Sequence, residues 1–161
     1  MDRIWSPWRH AYVTRSEEPA GCVFCVARTI GDGQQLIVHE GTLAYVILNK
    51  FPYNGGHLMV VPHRHVAKMA LLEDSELTEM ARLTQLCERV LTEAYSPQGI
   101  NVGMNLGRPA GAGIVDHLHI HLVPRWNGDT NFMTVVGEVR VLPEELPKTA
   151  ERLRPLFAKL K

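Results

Sequence analysis

Apolar residues at Leu77, Met80, Leu83, Leu86, Cys87, Val90, Leu91 and Ala94 recur at spacings of three and four, the period of one buried helix face. The pattern predicts a helix over residues 75–94, with Asp74 or Ser75 as the N-terminal cap and an end enforced by Pro97, which disfavours helix at Ser96. Runs rich in β-formers predict strands at 36–39, 42–48, 57–61, 101–106 and 117–123, separated by turn signals at Glu40-Gly41, Pro52 to Gly56 and Gly107 to Gly113. A short helix fits residues 22–30, stopped by Gly31-Asp-Gly33. A C-terminal helix fits Glu144 to Leu160, broken or kinked near Pro147. About five strands around one long helix, joined by hairpin-length connections, point to an α+β fold with an antiparallel sheet. Residues 1–161 read as one domain, with 1–20 an arm anchored by Trp5, Trp8 and Tyr12 and 136–161 a C-terminal extension.

Composition narrows the function classes. Lys+Arg and Asp+Glu both number 17, so the net charge is zero, and no basic stripe of a nucleic-acid binder is present. No apolar run approaches the ~20 residues that span a bilayer, and the first residues lack the apolar core of a signal peptide. The expected compartment is cytoplasmic. The three cysteines do not suggest a disulfide scaffold. Cys87 falls on the apolar stripe and reads as core, whereas Cys22 and Cys25 form a C-x-x-C pair that is either reduced or metal-bound.

The chemistry concentrates in Asp116-His-Leu-His-Ile-His-Leu-Val-Pro-Arg125. Side chains alternate faces along a strand, so His117, His119 and His121 share one face and Leu118, Ile120 and Leu122 the other. Neighbours on one face stand about 6.8 Å apart, from ~3.4 Å per residue, while metal–imidazole bonds are only about 2.1 Å. A regular strand therefore cannot aim all three rings at one ion, and a division of labour follows: one to ligate or orient, one to attack, one to assist proton transfer.

The segment His117-Leu-His-Ile-His-Leu-Val123 resembles the signature of the histidine triad (HIT) superfamily. Leu48-Asn-Lys-Phe-Pro-Tyr-Asn-Gly-Gly-His-Leu-Met-Val-Val-Pro62 resembles its ribose-side strand pair, and Asn105-Leu-Gly107 with the Gly-Ala-Gly of 111–113 its phosphate-side loop. Pro124 to Met133 resembles an extension in the branch that contains diadenosine tetraphosphate phosphorylases (ATP adenylyltransferases). The resemblance covers roughly residues 20–135. It implies a HIT-like fold, a homodimer, and an adenine-favouring nucleotide substrate with inorganic phosphate as a second partner. By residue, it implies His119 as nucleophile on an α-phosphorus, His121 at the scissile phosphate, His57 beside it, Asn49 at the ribose, and Asn105, Gly111, Gly113, Ile114 and Val115 around the phosphates.

The same resemblance implies a structural zinc held by Cys22, Cys25, His65 and His117, with His63 competing for the third place. One departure bears on the reaction. Many family hydrolases carry Gln four residues before the first triad histidine, and here that residue is Gly113. This favours phosphorolysis through a nucleotidyl-histidine. The rivals are hydrolysis of adenosine phosphoramidates or diadenosine polyphosphates and, from another class, a nucleotide-binding sensor or interaction module.

Overall fold

A computed structural model describes residues 21–29, 35–130 and 144–160. The arm at 1–20, the Gly31-Asp-Gly33 stop and the segment 131–143 lie outside the described residues. In chain order the elements are α1 (Val23–Ala27), β1 (Ile37–Glu40), β2 (Ala44–Leu48), β3 (Leu58–Pro62), α2 (Asp74–Tyr95), β4 (Gly99–Gly103), β5 (Ile120–Arg125) and α3 (Leu146–Leu160), with short 3-10 turns at Met69–Leu71 and Arg108–Ala110. The five strands form one antiparallel sheet in the order β1-β2-β3-β5-β4. The α+β expectation holds.

Alternation along the strands builds two different faces. Val38, Ala44, Val46, Leu48, Leu58, Val60, Ile120 and Leu122 pack with Met80, Leu83, Cys87, Val90 and Leu91 of α2 and Ala150, Leu153 and Phe157 of α3. Tyr45, Ile47, Met59 and Val61 point the other way and are covered by Phe24 and Ala27 of α1. That second face also carries His121, opposite Met59 in the ladder. Cys87 is buried in the first cluster, as its place on the stripe predicts.

Three expectations shift. The cap of α2 is Glu73, not Asp74 or Ser75: its side chain takes the backbone N–H of Glu76, and the Glu76 carboxylate takes the Glu73 N–H at 2.8 Å. Glu76 is buried yet stays charged, because Arg64 donates Nε and Nη2 to it at 2.9 and 2.6 Å and holds its carboxyl below the usual range. Helix α3 is not broken at Pro147, which stands in the first turn where its missing N–H has no helical partner to lose; the helix begins at Leu146 and also carries Pro155. The strand expected at 101–106 lies at Gly99–Gly103, because Gln98 N–H already pairs with Arg125 carbonyl and the chain leaves the sheet before Asn105.

The last correction concerns the triad. The strand expected at 117–123 runs from Ile120 to Arg125. Extending the β3–β5 register from the pair Val60↔Ile120 would set Leu118 opposite Pro62, which has no N–H to give. Leu118 N–H bonds Val66 carbonyl instead, at 2.7 Å. His117 and His119 thus precede the strand, but the alternation persists: Leu118 remains in the helix-side core.

Helix α3 is part of that core, so Phe157, 1% exposed and stacked on His39, tests it. Phe157→Ala should cost about 3–5 kcal/mol in denaturant unfolding. A loss under about 1 kcal/mol would show that α3 does not dock there.

Candidate functional site

The site lies on the α1 side of the sheet. Phe24 packs edge-on to His117 at 5.4 Å between ring centroids and tilted to His119 at 4.9 Å, and its carbonyl takes the buried Tyr45 hydroxyl at 2.8 Å. With Ala27, Phe24 seats α1, and α1 brings the C-x-x-C pair with it: Cys22 is the extended residue before the helix and Cys25 lies in its first turn.

Around that helix end, Cys22 Sγ is 3.2 Å from His117 Nδ1, Cys25 Sγ is 3.6 Å from the same atom, and Cys25 Sγ is 3.5 Å from His65 Nδ1. The four ligand atoms lie within 4.8 Å of one another, so Cys22, Cys25, His65 and His117 are positioned to bind a metal. Ligands about 2.2 Å from a tetrahedral ion stand about 3.6 Å apart, close to the 3.2, 3.5 and 3.6 Å of these three contacts. His117 Nε2–H donates to Pro62 carbonyl at 2.9 Å, which turns the Nδ1 lone pair toward the sulfurs. Burial and the neighbouring Cys22 raise the Cys25 thiol, a repulsion that a cation would relieve. His63 is engaged elsewhere: its Nε2–H donates to Gly41 carbonyl at 3.1 Å and its ring stacks on Tyr45.

The partners of the other histidines dictate their tautomers. A carbonyl can only accept, so His119 Nδ1, 2.9 Å from the carbonyl of His117, carries the proton and Nε2 keeps the lone pair. A backbone amide can only donate, so His57 Nδ1, 3.1 Å from Tyr53 N, accepts. His57 Nε2–H then donates to His121 Nδ1 at 3.0 Å, and His121 carries its own proton on Nε2. His119 and His121 meet edge to face at 4.7 Å. The cluster therefore pairs a lone pair on His119 Nε2 with a donor on His121 Nε2.

Burial favours the neutral rings. It lowers His117 and His119 from the ordinary histidine range and, with the adjacent His119, pushes His121 down to about 4. At neutral pH both rings are neutral, one with a bare lone pair on Nε2 and the other with an Nε2–H donor.

The remaining expected residues surround this centre less tightly. Asn49 follows β2, and its Oδ1 accepts Phe51 N–H at 2.9 Å, the turn-forming role open to any Asn there. Asn105 Nδ2 donates to Gly111 carbonyl at 3.3 Å, bracing the loop in which Gly111 takes a left-handed φ of +94°. Ile114 packs against the Phe24 cluster, while Gly113 is exposed and Val115 half-buried in the bend before His117. Sequence reasoning missed Phe24, the Pro62 carbonyl and the Tyr53 amide. Only Phe24, an aromatic inside the cysteine pair, left a signal that could have been used.

A family model described as the HIT domain matches residues 32–128. The chain is 40% identical over 168 residues to the AP-4-A phosphorylase of Mycobacterium tuberculosis, covering 99% of this chain and 86% of that protein. It is 30% identical to an adenosine 5'-monophosphoramidase of Schizosaccharomyces pombe, covering 82% of this chain and 95% of that one. The crystal structure of a Zn-bound histidine triad family protein from Mycobacterium smegmatis superposes with a TM-score of 0.70 at 26% identity, covering 87% of this chain and 95% of that one.

The depressed value of His121 carries a pH dependence. The unfolded chain takes up a proton near pH 6.5 and the folded ring only near pH 4. The stability this group contributes is full above about 6.5 and is lost as pH falls toward 4. Thermal melts should show the midpoint falling across that window, with a smaller fall in His121→Gln. Equal falls in both proteins would contradict the burial assignment.

Proposed function

This chain belongs to the HIT domain family, and we propose that it is a nucleotidyltransferase that cleaves dinucleoside polyphosphates by phosphorolysis, with diadenosine tetraphosphate as the preferred class of substrate. The observation that carries the chemistry is the proton on His119 Nδ1, which leaves Nε2 as an available lone pair beside the His121 donor. His119 Nε2 attacks the α-phosphorus, a P–N bond forms, and the bond to the bridging oxygen breaks, releasing ATP. An oxygen of inorganic phosphate then displaces the histidine and yields ADP, so diadenosine tetraphosphate and phosphate become ATP and ADP. Covalent capture divides one hard displacement into two easier ones.

Each side chain has a physical task in this reading. Attack makes the His119 ring cationic, and the His117 carbonyl that accepts its Nδ1–H stabilises that charge, as a fixed dipole aimed at charge that develops. His121, neutral at working pH, offers a hydrogen bond to a phosphoryl or leaving oxygen rather than a proton. A polyphosphate leaving group needs no more than that. His57 sets the orientation of His121. Asn49 holds the ribose, while Asn105 and the bend of Gly111, Gly113, Ile114 and Val115 hold the phosphates through polar and backbone groups.

Phosphorolysis is favoured over hydrolysis by Gly113, which stands where many family hydrolases have Gln, and by the likeness to the mycobacterial phosphorylase over nearly the whole chain. A sensor would need no nucleophile in a fixed tautomer. No helix among the described residues is long and apolar enough to cross a membrane, and we place the protein in the cytoplasm. We propose a homodimer joined through the outer edge of β4, where Val102 is exposed.

Zinc fits the Cys22, Cys25, His65 and His117 set and would supply a structural anchor there. Its chemistry is to neutralise the thiolates; the residues themselves tie the helix α1 to the segment that holds His119. Protein purified without chelator should contain about one zinc per chain, and Cys22→Ser with Cys25→Ser should lose it and lower the melting temperature. Metal-free wild-type protein would refute the assignment.

The reaction is tested by incubating the enzyme with diadenosine tetraphosphate, with and without phosphate. Without phosphate no more than about one ATP per enzyme should be released and no ADP, with phosphate ATP and ADP should form at each turnover, and His119→Ala should lower kcat by about ten-thousand-fold or more. AMP and ATP in both tubes would establish hydrolysis instead.

A further inference from the structure

The donor on His121 depends on a chain of hydrogen bonds that leaves the site and ends at an ion pair on the far end of β5. The first link is the amide of Tyr53. If His121 carried its proton on Nδ1, it would donate to His57 Nε2, and His57 Nδ1–H would then face Tyr53 N–H. Two donors cannot pair, so the turn at residues 50–56 fixes both rings for as long as it holds the Tyr53 amide in place.

What holds that turn is the side chain of Asn54. Both protons of its amide are used: Nδ2 donates to Pro124 carbonyl at 3.0 Å and to Asp129 Oδ2 at 2.8 Å. The backbone carbonyl of Asn54 accepts His57 N–H at 3.3 Å. Pro52 limits the backbone on the other side of Tyr53, and Gly56 takes a φ of +76°, where a Cβ would stand 2.9 Å from Tyr95 Cε2. Asp129 is itself fixed. Arg125 donates Nε and Nη2 to its two oxygens at 2.6 and 2.8 Å, Trp126 N–H reaches Oδ2 at 3.2 Å, and Thr130 hydroxyl reaches Oδ1 at 3.2 Å. Arg125 Nη1 also donates to Asn101 Oδ1 on β4 at 3.0 Å. The Arg125 guanidinium, first among several donors, holds the Asp129 carboxyl well below the usual carboxylate range, so it is an acceptor at any working pH.

We propose that Asn54, Asp129 and Arg125 are positioning residues that select the tautomer of His57 and His121, and thereby make His121 Nε2 the donor of the site. Asn54 is the hinge of this device, since among the described residues it is the one that joins the turn carrying the Tyr53 amide to the fixed carboxylate. None of the three residues touches the reacting atoms in this scheme. They act through a backbone amide two imidazoles away. That His121 serves nucleotidyl transfer rests on the function proposed above, whereas the tautomer selection does not.

The test uses the full chain with its metal. Long-range proton–nitrogen correlation spectra of imidazole nitrogens distinguish Nδ1–H from Nε2–H rings without any substrate. In wild type, His57 and His121 should both be Nε2–H. In Asn54→Ala, which leaves the Arg125–Asp129 pair intact, both rings should shift toward a mixture containing the Nδ1–H form while the overall fold, read by circular dichroism, is retained. With diadenosine tetraphosphate and phosphate, kcat should fall roughly tenfold or more, with KM changed much less. Unchanged tautomers in folded Asn54→Ala, or a wild-type His121 that is Nδ1–H, would overturn the proposal. If Asn54→Ala does not fold, Asp129→Leu, similar in size but with no acceptor for Asn54, carries the same two outcomes. Altered tautomers without any turnover in wild type would refute the proposed reaction and leave the positioning device standing.

Discussion

A single hydrogen bond, from His119 Nδ1–H to the carbonyl of His117, sets what this protein can do. It decides which nitrogen of the buried ring keeps a lone pair, and it places an acceptor where positive charge appears if that lone pair attacks phosphorus. The bond is local, between residues two apart, but it requires that the backbone at residue 117 be immobile. Three interactions arrange this. Pro62 carbonyl holds the His117 ring, Val66 carbonyl holds the next amide, and the cysteine pair of α1 stands against His117 Nδ1. A metal in that cluster and a nucleophile at His119 would thus share one residue, with the ring of His117 serving the first and its carbonyl the second.

The fold makes this arrangement affordable by separating the two faces of the sheet. The helix side is a continuous apolar core under α2 and α3, and it absorbs Leu118, Ile120 and Leu122. Among the described residues, the other side is covered by the short helix α1 and its Phe24. Polar rings buried there are tolerated because each finds a partner: a carbonyl, an amide or another imidazole. Burial on that side depresses the basicity of His119 and His121, so that both rings are neutral at neutral pH. Fold and chemistry meet in β5, whose alternate residues supply the core on one side and the site on the other.

Much of this was legible in the sequence because periodicity is local. The stripe from Leu77 to Ala94 gave α2 almost to the residue, and alternation put the three histidines on one side. The resemblance to HIT proteins drew together Cys22, Cys25, His65 and His117, residues that no spacing rule connects and that the structure brings within ligand distance. Boundaries fared worse where tertiary contacts decide them. Pro62 stops the ladder before Leu118, a consequence of register between segments nearly sixty residues apart, and the cap of α2 came from Glu73 because Arg64 secures Glu76. Least legible were the tautomers. They depend on the Tyr53 amide and the His117 carbonyl, backbone groups that every sequence possesses, and on Asn54, Asp129 and Arg125, ordinary surface residues until the turn and the end of β5 meet.

In the proposed reaction, the nitrogen left bare by the His117 carbonyl is the one that forms the covalent bond. The most direct measurement is the regiochemistry of the intermediate: quench the enzyme with labelled diadenosine tetraphosphate in the absence of phosphate, and locate the phosphorus by phosphorus–nitrogen coupling in protein carrying nitrogen-15 histidine. The expected result is a nucleotidyl group on Nε2 of His119, with Nδ1 still protonated. A bond to Nδ1 of His119, or to any other residue, would contradict it.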